Sequence, residues 1–351
     1  MNTEAELERS RANLVMVAPA PYNAEAPPDA LRDGITSTDQ HYVRSNFVLP
    51  EHDGVLHIGG AVANSAALTI DQLRALPAVT VTMTMECAGN GRLDMKPLPI
   101  GEPWGGYAVS TATWTGTPLI GILQTAVPDA NAIEVVFEGA DHGPYFQYED
   151  LQFIRSLPFD LAMDSSASIL VAYEMNGEPL NADHGAPFRL IVPHWYGVAS
   201  VKWLSRIEVI TQPYEGEFQT NHYMYEWPDR PNEPVNVMLV RARITDPADE
   251  AVLPLGVCTI RGKAWSGAGP ITKVEISFTG EGEWFTAALE PSTSPHAWQD
   301  WSYEWTPAKT GRYSIRARAI DAAGNTQPDV PPWNRLGYGN NAIEVGYVEF
   351  Q

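Results

Sequence analysis

Cysteine is nearly absent: the 351 residues contain only Cys87 and Cys258. At most one bridge is possible, so a disulfide framework is excluded. There is no C-x-x-C-H haem attachment and no C-x-x-C zinc pattern. The chain therefore lacks the means to carry its own c-type haem or iron–sulfur cluster. Long hydrophobic runs are missing too, and no segment reaches the roughly 18 apolar residues of a membrane span. The first residues, MNTEAELERSRANLVMVAPAP, hold three glutamates and neither an h-region nor a twin-arginine pair. They read as cytoplasmic, or as periplasmic if the chain has been trimmed. Basic residues are scarce: 22 Lys and Arg stand against 43 Asp and Glu, for a net charge of −21. That balance argues against nucleic-acid binding and against docking on anionic lipid, both of which need a basic face. It suits cationic partners.

The acidity is uneven. Residues 1–235 hold 12 basic and 30 acidic residues, whereas 236–351 hold 10 and 13. The few cations of the first part stand out. Apolar residues make up 44% of the chain, enough for a sizeable core.

Residues 1–40, rich in Pro, Ala and acids, read as an extended arm. Strands are expected at 55–58, 79–85, 133–137, 188–192 and from 201 to 210. Thr69–Leu76 reads as a short helix closed by Pro77. A second helix starts with Thr117 as N-cap and Pro118 at its first position. This mixture indicates an α+β domain over 41–227. Three prolines between Pro228 and Pro234 mark a linker at about 227–237. Beyond it, 228–351 is all β, with about seven strands and turns at 280–282 and 323–325. That pattern suggests an immunoglobulin-like sandwich.

Two clusters carry chemistry. Cys87 ends the run Thr80–Glu86 and precedes Ala88-Gly89-Asn90-Gly91-Arg92. A thiol at a strand end, beside a glycine turn and an arginine, is either a metal-binding thiolate or a small core residue. Cys258, inside an apolar strand, reads as core. The second cluster runs from His184 through Arg189 to Ser200, Val201, Lys202 and Trp203. Arg189 lies in an apolar strand and needs an anion, either a carboxylate or a phosphorylated ligand. Ser200 and Lys202, two apart, are expected on one side of a strand.

The string Glu86–Arg92 resembles the molybdenum-ligand motif of the sulfite oxidase family of molybdopterin enzymes. Gly105–Leu119, Ala172–Gly177 and His184–Trp203 also look like this family. In the sandwich, Gly262–Gly267, Val274–Ser277 and Pro332-Trp333-Asn334 resemble its dimerisation domain. The resemblance runs from about residue 20 to the C-terminus. It implies that Cys87 binds molybdenum beside a pyranopterin dithiolene. His184, Arg189, Ser200, Val201, Lys202 and Asp141 match cofactor contacts. Arg44, Ser45 and Asn46 match the loop that wraps the cofactor and turns an arginine to the substrate. Arg92 and Trp104 match substrate-pocket positions, and Tyr223 matches the active-site tyrosine by its spacing after Lys202.

The implied reaction is oxidation of sulfite to sulfate by oxo transfer, with electrons leaving to an external acceptor such as a c-type cytochrome. The implied assembly is a homodimer through the C-terminal domain. Only about 40 residues precede Arg44, so the resemblance implies a chain without the haem domain of some relatives. Two positions depart from the family pattern. Asn46 stands where the family often has His, and Leu336 where it often has an arginine, with Arg335 one residue early. These keep other oxo-transfer substrates open, such as a sulfoxide or nitrate. From a different class, the chain could be a metal-free binding relic, although that would have no use for Cys87.

Overall fold

The structure, a computed structural model, describes residues 4–278 and 282–351. The arm, expected to be extended, is folded. Helix α1 (Glu4–Arg11) leads into a hairpin of β1 (Val15–Pro19) and β2 (Tyr22–Glu25), then a 3-10 turn at Pro28–Arg32. Ala24, Ala26, Ala30 and Leu31 are buried, and the Ala24 and Val43 backbones exchange two hydrogen bonds. Small apolar residues dock this segment, which its Pro- and acid-rich composition concealed.

The first domain follows in order: β3 (Val55–Gly60), β4 (Ala66–Thr69), α2 (Ile70–Arg74), β5 (Val79–Glu86), β6 (Val109–Pro118), α3 (Leu119–Ala126), β7 (Glu134–Tyr145), β8 (Tyr148–Pro158), β9 (Leu170–Met175), β10 (Glu178–Pro179), β11 (Arg189–Ile191) and β12 (Leu204–Ile210). One sheet has the order β10-β9-β6-β5, with β11 also on β9; the other is β4-β3-β12-β7-β8. Helices are few and short, so the expected α+β mixture is mostly sheet. Strand β5 shows why: Val81, Met83 and Met85 alternate with threonines and point into the core. Thr84 is also buried, satisfied by Thr111 Oγ1 at 2.6 Å and by the Trp298 amide at 2.6 Å.

Helix α2 opens with a capping box, Thr69 accepting from the Gln72 amide and Gln72 accepting from the Thr69 amide. The expected cap of α3 is corrected. Thr117 stays in β6 and donates its hydroxyl to the Leu73 carbonyl, and Pro118 is the N-cap. The strand runs straight into the helix because that hydroxyl is already used.

The proline-rich linker folds back on itself, Met224–Tyr225 pairing antiparallel with Glu233–Pro234. The second domain is a two-sheet sandwich. Its four-stranded sheet has the order 241–246, 258–265, 299–305, 288–289, and its five-stranded sheet 251–253, 345–350, 311–321, 271–277, 285–286. The strand at 251–253, unexpected from sequence, pairs parallel with 345–350. Of the turn expected at 280–282, residues 280 and 281 lie outside the described residues. Cys258 is partly exposed and packs against the sandwich core rather than inside it. One hydrophobic cluster crosses both domains, joining Phe188, Val201 and Tyr223 to Trp265, Trp298, Leu336 and Tyr338. The domains therefore meet through a shared core.

Candidate active site

Cys87 leaves the sheet at the end of β5 and lines a cavity with Arg44, Ser45, Asn46, Asp183, Lys202 and Tyr223. Glu86, just before it, is a buried carboxylate. It accepts from Asn90 Nδ2 (2.9 Å), Arg241 Nη1 (3.0 Å) and Trp265 Nε1 (2.9 Å), the last two from the second domain. That domain also donates the Gly339 amide to Ala88 O (2.8 Å) and Asn340 Nδ2 to Gly91 O (2.7 Å). The loop turns through Gly91 at φ +80°. Gly89 lacks a side chain for a different reason: a Cβ there would stand 2.5 Å from the Arg92 guanidinium. The Cys87 thiol is pushed up by burial, opposed by Arg44, the Gly89 amide and Arg92. A bound cation would tip that balance to the thiolate.

The three cations that line the cavity, Arg189, Lys202 and Arg44, have no carboxylate at ion-pair distance among the described residues. Arg189 is buried and donates to the carbonyls of His184 (3.1 Å) and Ser200 (2.9 Å), leaving Nε without a partner. Its guanidinium, 4.9 Å from the Trp114 ring centroid, is pushed down to about 10 by burial. Lys202 Nζ donates to Ser45 Oγ and to the Asp183 carbonyl, both at 2.8 Å. Arg44 donates to the Ser45 carbonyl, to Asn46 Oδ1 (2.5 Å) and to Asn23 Oδ1 (3.3 Å). Among the described residues none of the three has an ion pair, although 30 acids share residues 1–235. Uncompensated charge in a protein interior is costly, so these groups await an anion.

Neutral and acidic groups complete the cavity. His184 contacts the Thr38 carbonyl at 3.1 Å and is pushed down to about 3 by burial, with Arg189 and Lys202 adding to it. Burial also raises Asp141, and Lys202 and Arg44 counter it; burial and Arg189 lower Lys202. Tyr223 sits at φ +59°, a strained conformation for a bulky residue. The Val235 amide holds its carbonyl at 2.8 Å, its ring stacks on Tyr338 at 5.3 Å, and Asn46 Nδ2 lies 3.4 Å from its hydroxyl.

The structure thus brings Cys87, Arg44, Ser45, Asn46, Asp141, His184, Arg189, Ser200, Lys202 and Tyr223 to one cavity. Three expected residues stand apart from its lining. Trp104 is buried in an adjoining apolar cluster. Arg92 is held by the carbonyls of Leu336 (2.9 Å) and Glu102 (2.6 Å), with its charge over the Tyr338 ring. Val201 packs in the core and accepts from the Leu190 amide.

The expected strand geometry of Ser200 and Lys202 is corrected. Ser200 follows a 3-10 turn at Gly197–Ala199, its hydroxyl taken by the Val192 amide, and Lys202 lies in a bend before β12 begins at Leu204. Arg335 does not replace the missing arginine; it makes a bidentate pair with Glu226 at 2.5 and 2.6 Å on the surface. Residues missed from sequence are His41, Tyr42, Met85 and Asp183. His41 is buried with Nε2 unpartnered and is pushed well below its ordinary value by burial. The His41-Tyr42 pair just ahead of Arg44 was the available signal.

Among the described residues no group of three or more His, Cys, Asp and Glu could hold a metal unaided. A metal here would need ligands from a non-protein group besides Cys87.

Comparison with known proteins agrees with this cavity. Residues 48–218 match the family model for an oxidoreductase molybdopterin binding domain, and residues 232–344 that for a Mo-co oxidoreductase dimerisation domain. The chain is 36% identical to mitochondrial sulfite oxidase of Mus musculus, over 94% of this chain and 64% of that protein. It is 32% identical to an inducible NADH nitrate reductase of Glycine max, over 95% of this chain and 42% of that one. It therefore spans less than two thirds of the length of these relatives. The sulfane dehydrogenase SoxCD of Paracoccus pantotrophus superposes with a TM-score of 0.84 at 27% identity, covering 99% of this chain and 90% of that chain. Cavity, sequence and fold converge, and the chain belongs to the sulfite oxidase family of molybdopterin-dependent oxidoreductases.

Proposed function

We propose that this protein oxidises a small sulfur oxyanion, sulfite in the first instance, and passes two electrons to an external acceptor. The observation that carries the reading is a cavity lined at once by a thiol, Cys87, and by three cations without carboxylate partners. These residues fit a phosphorylated pterin carrying a soft metal. The unpartnered Nε of Arg189 and the Lys202 ammonium, bound only to neutral oxygens, suit an anionic phosphate. Ser45, His184 and Ser200 would contact it with them, and Cys87 would bind molybdenum. When bound, that cofactor supplies two-electron oxo-transfer chemistry.

The chain's own residues orient and select. Arg44 is the guanidinium at the cavity beside Cys87 and Tyr223, and it would hold the substrate oxygens. Asn46 and Tyr223 would add hydrogen bonds. Neutral His184 leaves the cation count at three. With Leu336 buried, Arg335 paired to Glu226 and Arg92 used by two carbonyls, a doubly charged substrate finds little further positive charge. This favours a second reading, in which a less charged oxo-transfer substrate such as nitrate or a sulfoxide is used. The dimerisation-domain match supports a homodimer, and the acidic surface suits a basic acceptor such as a cytochrome c.

A substrate panel with ferricyanide or cytochrome c, run beside metal analysis, tests the proposal. About one molybdenum per chain with sulfite-dependent reduction of the acceptor is expected. Molybdenum with turnover only on nitrate or sulfoxide would favour the second reading. Protein from a cofactor-competent host that lacks the metal would overturn both.

A further inference from the structure

The N-terminal segment reaches the residues of the cavity through two side chains, Asn23 at Arg44 and Ser45, and Arg11 at Asp183. Asp183 lines the cavity beside His184, and its side chain is 3% exposed. Arg11, at the end of α1, grips both carboxylate oxygens, Nε to Oδ2 at 2.8 Å and Nη2 to Oδ1 at 2.6 Å. Lys202 acts on the Asp183 carboxylate only through space, since its ammonium donates to the Asp183 carbonyl and Ser45 Oγ. The Arg11 guanidinium also lies 4.0 Å from the centroid of the Tyr22 ring on β2. Further along the same segment, the Thr38 carbonyl meets His184 Nε2, and Asn13 Nδ2 donates to Asp39 at 2.7 Å.

A cavity built for an anionic ligand does not favour a buried carboxylate in its wall. Without Arg11, Asp183 would face a bound phosphate as an unpaired like charge, and removing one partner of a buried pair is strongly destabilising. The bidentate grip cancels that charge from outside the cavity. We propose that Arg11 is a positioning residue for the cofactor: it neutralises Asp183 and pins the N-terminal segment over the cavity, so that the phosphorylated pterin is retained. The proposal rests on the molybdopterin reading above.

The test uses the full chain from a cofactor-competent host. Wild type, Arg11→Met, Asp183→Asn and the double variant are dialysed extensively. Retained pterin is read by fluorescence after oxidative release, molybdenum is counted per chain, and thermal midpoints report folding. Arg11→Met should lose about tenfold or more of the retained pterin, consistent with the loss of a buried-pair partner. Asp183→Asn in the same chain should restore most of it, because no carboxylate remains to be neutralised. Arg11→Met with wild-type retention, or a double variant no better than Arg11→Met, would overturn the proposal. Wild-type protein without pterin would instead overturn the molybdopterin reading.

Discussion

Replacing Arg241 by Met should loosen the Cys87 loop without touching the cavity. Arg241 is 2% exposed and pairs with Glu86 at 3.0 Å and with Glu344 at 2.5 Å. Glu344 keeps Arg243 at 3.1 Å when Arg241 is lost. Glu86 keeps only the neutral donors Asn90 and Trp265, so a buried carboxylate loses its charged partner. Breaking such a pair costs 3–5 kcal/mol; the two remaining donors put this case near the lower bound, about 3 kcal/mol. If local opening of the loop is eased by that amount, the opened fraction rises about a hundredfold.

The assay is alkylation of Cys87 by iodoacetamide in apoprotein carrying Cys258→Ser, followed by mass spectrometry, with thermal midpoints measured in parallel. The double variant Glu86→Gln/Arg241→Met removes both charges and should lose less than the sum of the single losses. An Arg241→Met protein whose midpoint and alkylation rate both match the parent would refute the view that the second domain braces the metal-ligand loop.

Other outcomes follow from the same geometry. Arg44→Gln should raise the Michaelis constant for sulfite by about ten- to a hundredfold, the value of one charge-assisted hydrogen bond. Arg335→Ala should leave that constant unchanged, and steady-state kinetics on both variants would expose a wrong assignment if the pattern reversed. Cys87→Ser should abolish turnover while the far-ultraviolet circular dichroism persists; sulfite oxidation surviving in that variant would remove the assigned ligand. The last expectation concerns acid. His296 contacts His194 at 2.8 Å across the domain boundary and is pushed down to about 4 by burial and by His194. Its folded value lies below the ordinary 6.5, so the unfolded chain takes up the proton first. Its contribution to stability is thus complete above about pH 6.5 and is lost as the pH falls towards 4. His296→Gln should flatten that part of the midpoint-against-pH curve of the apoprotein, and a curve parallel to wild type would count against the pair.

Local pattern alone made much of this molecule legible. Alternation in 79–85, the short helix from Thr69 closed by Pro77, the three prolines from Pro228 to Pro234 and the strand spacing beyond Leu239 each act within a few residues. The motif around Cys87 was readable for the same reason, since a strand end, a glycine turn and an arginine are contiguous. Tertiary structure decided what depends on partners far apart in sequence. Arg92, the last residue of the motif, is drawn to the carbonyls of Leu336 and Glu102. Arg335, one residue from the position of interest, is captured by Glu226. Arg11, in a segment that reads from sequence as an extended arm, closes on Asp183 across 172 residues. A residue's type states which partner it needs, but only the folded chain supplies one, because burial strips the water that would otherwise satisfy any charge. The sequence by itself therefore determined the locally patterned elements, the two-domain order and the cation-and-thiol chemistry. The fold decided which cations are spent on the protein and which are left facing the cavity.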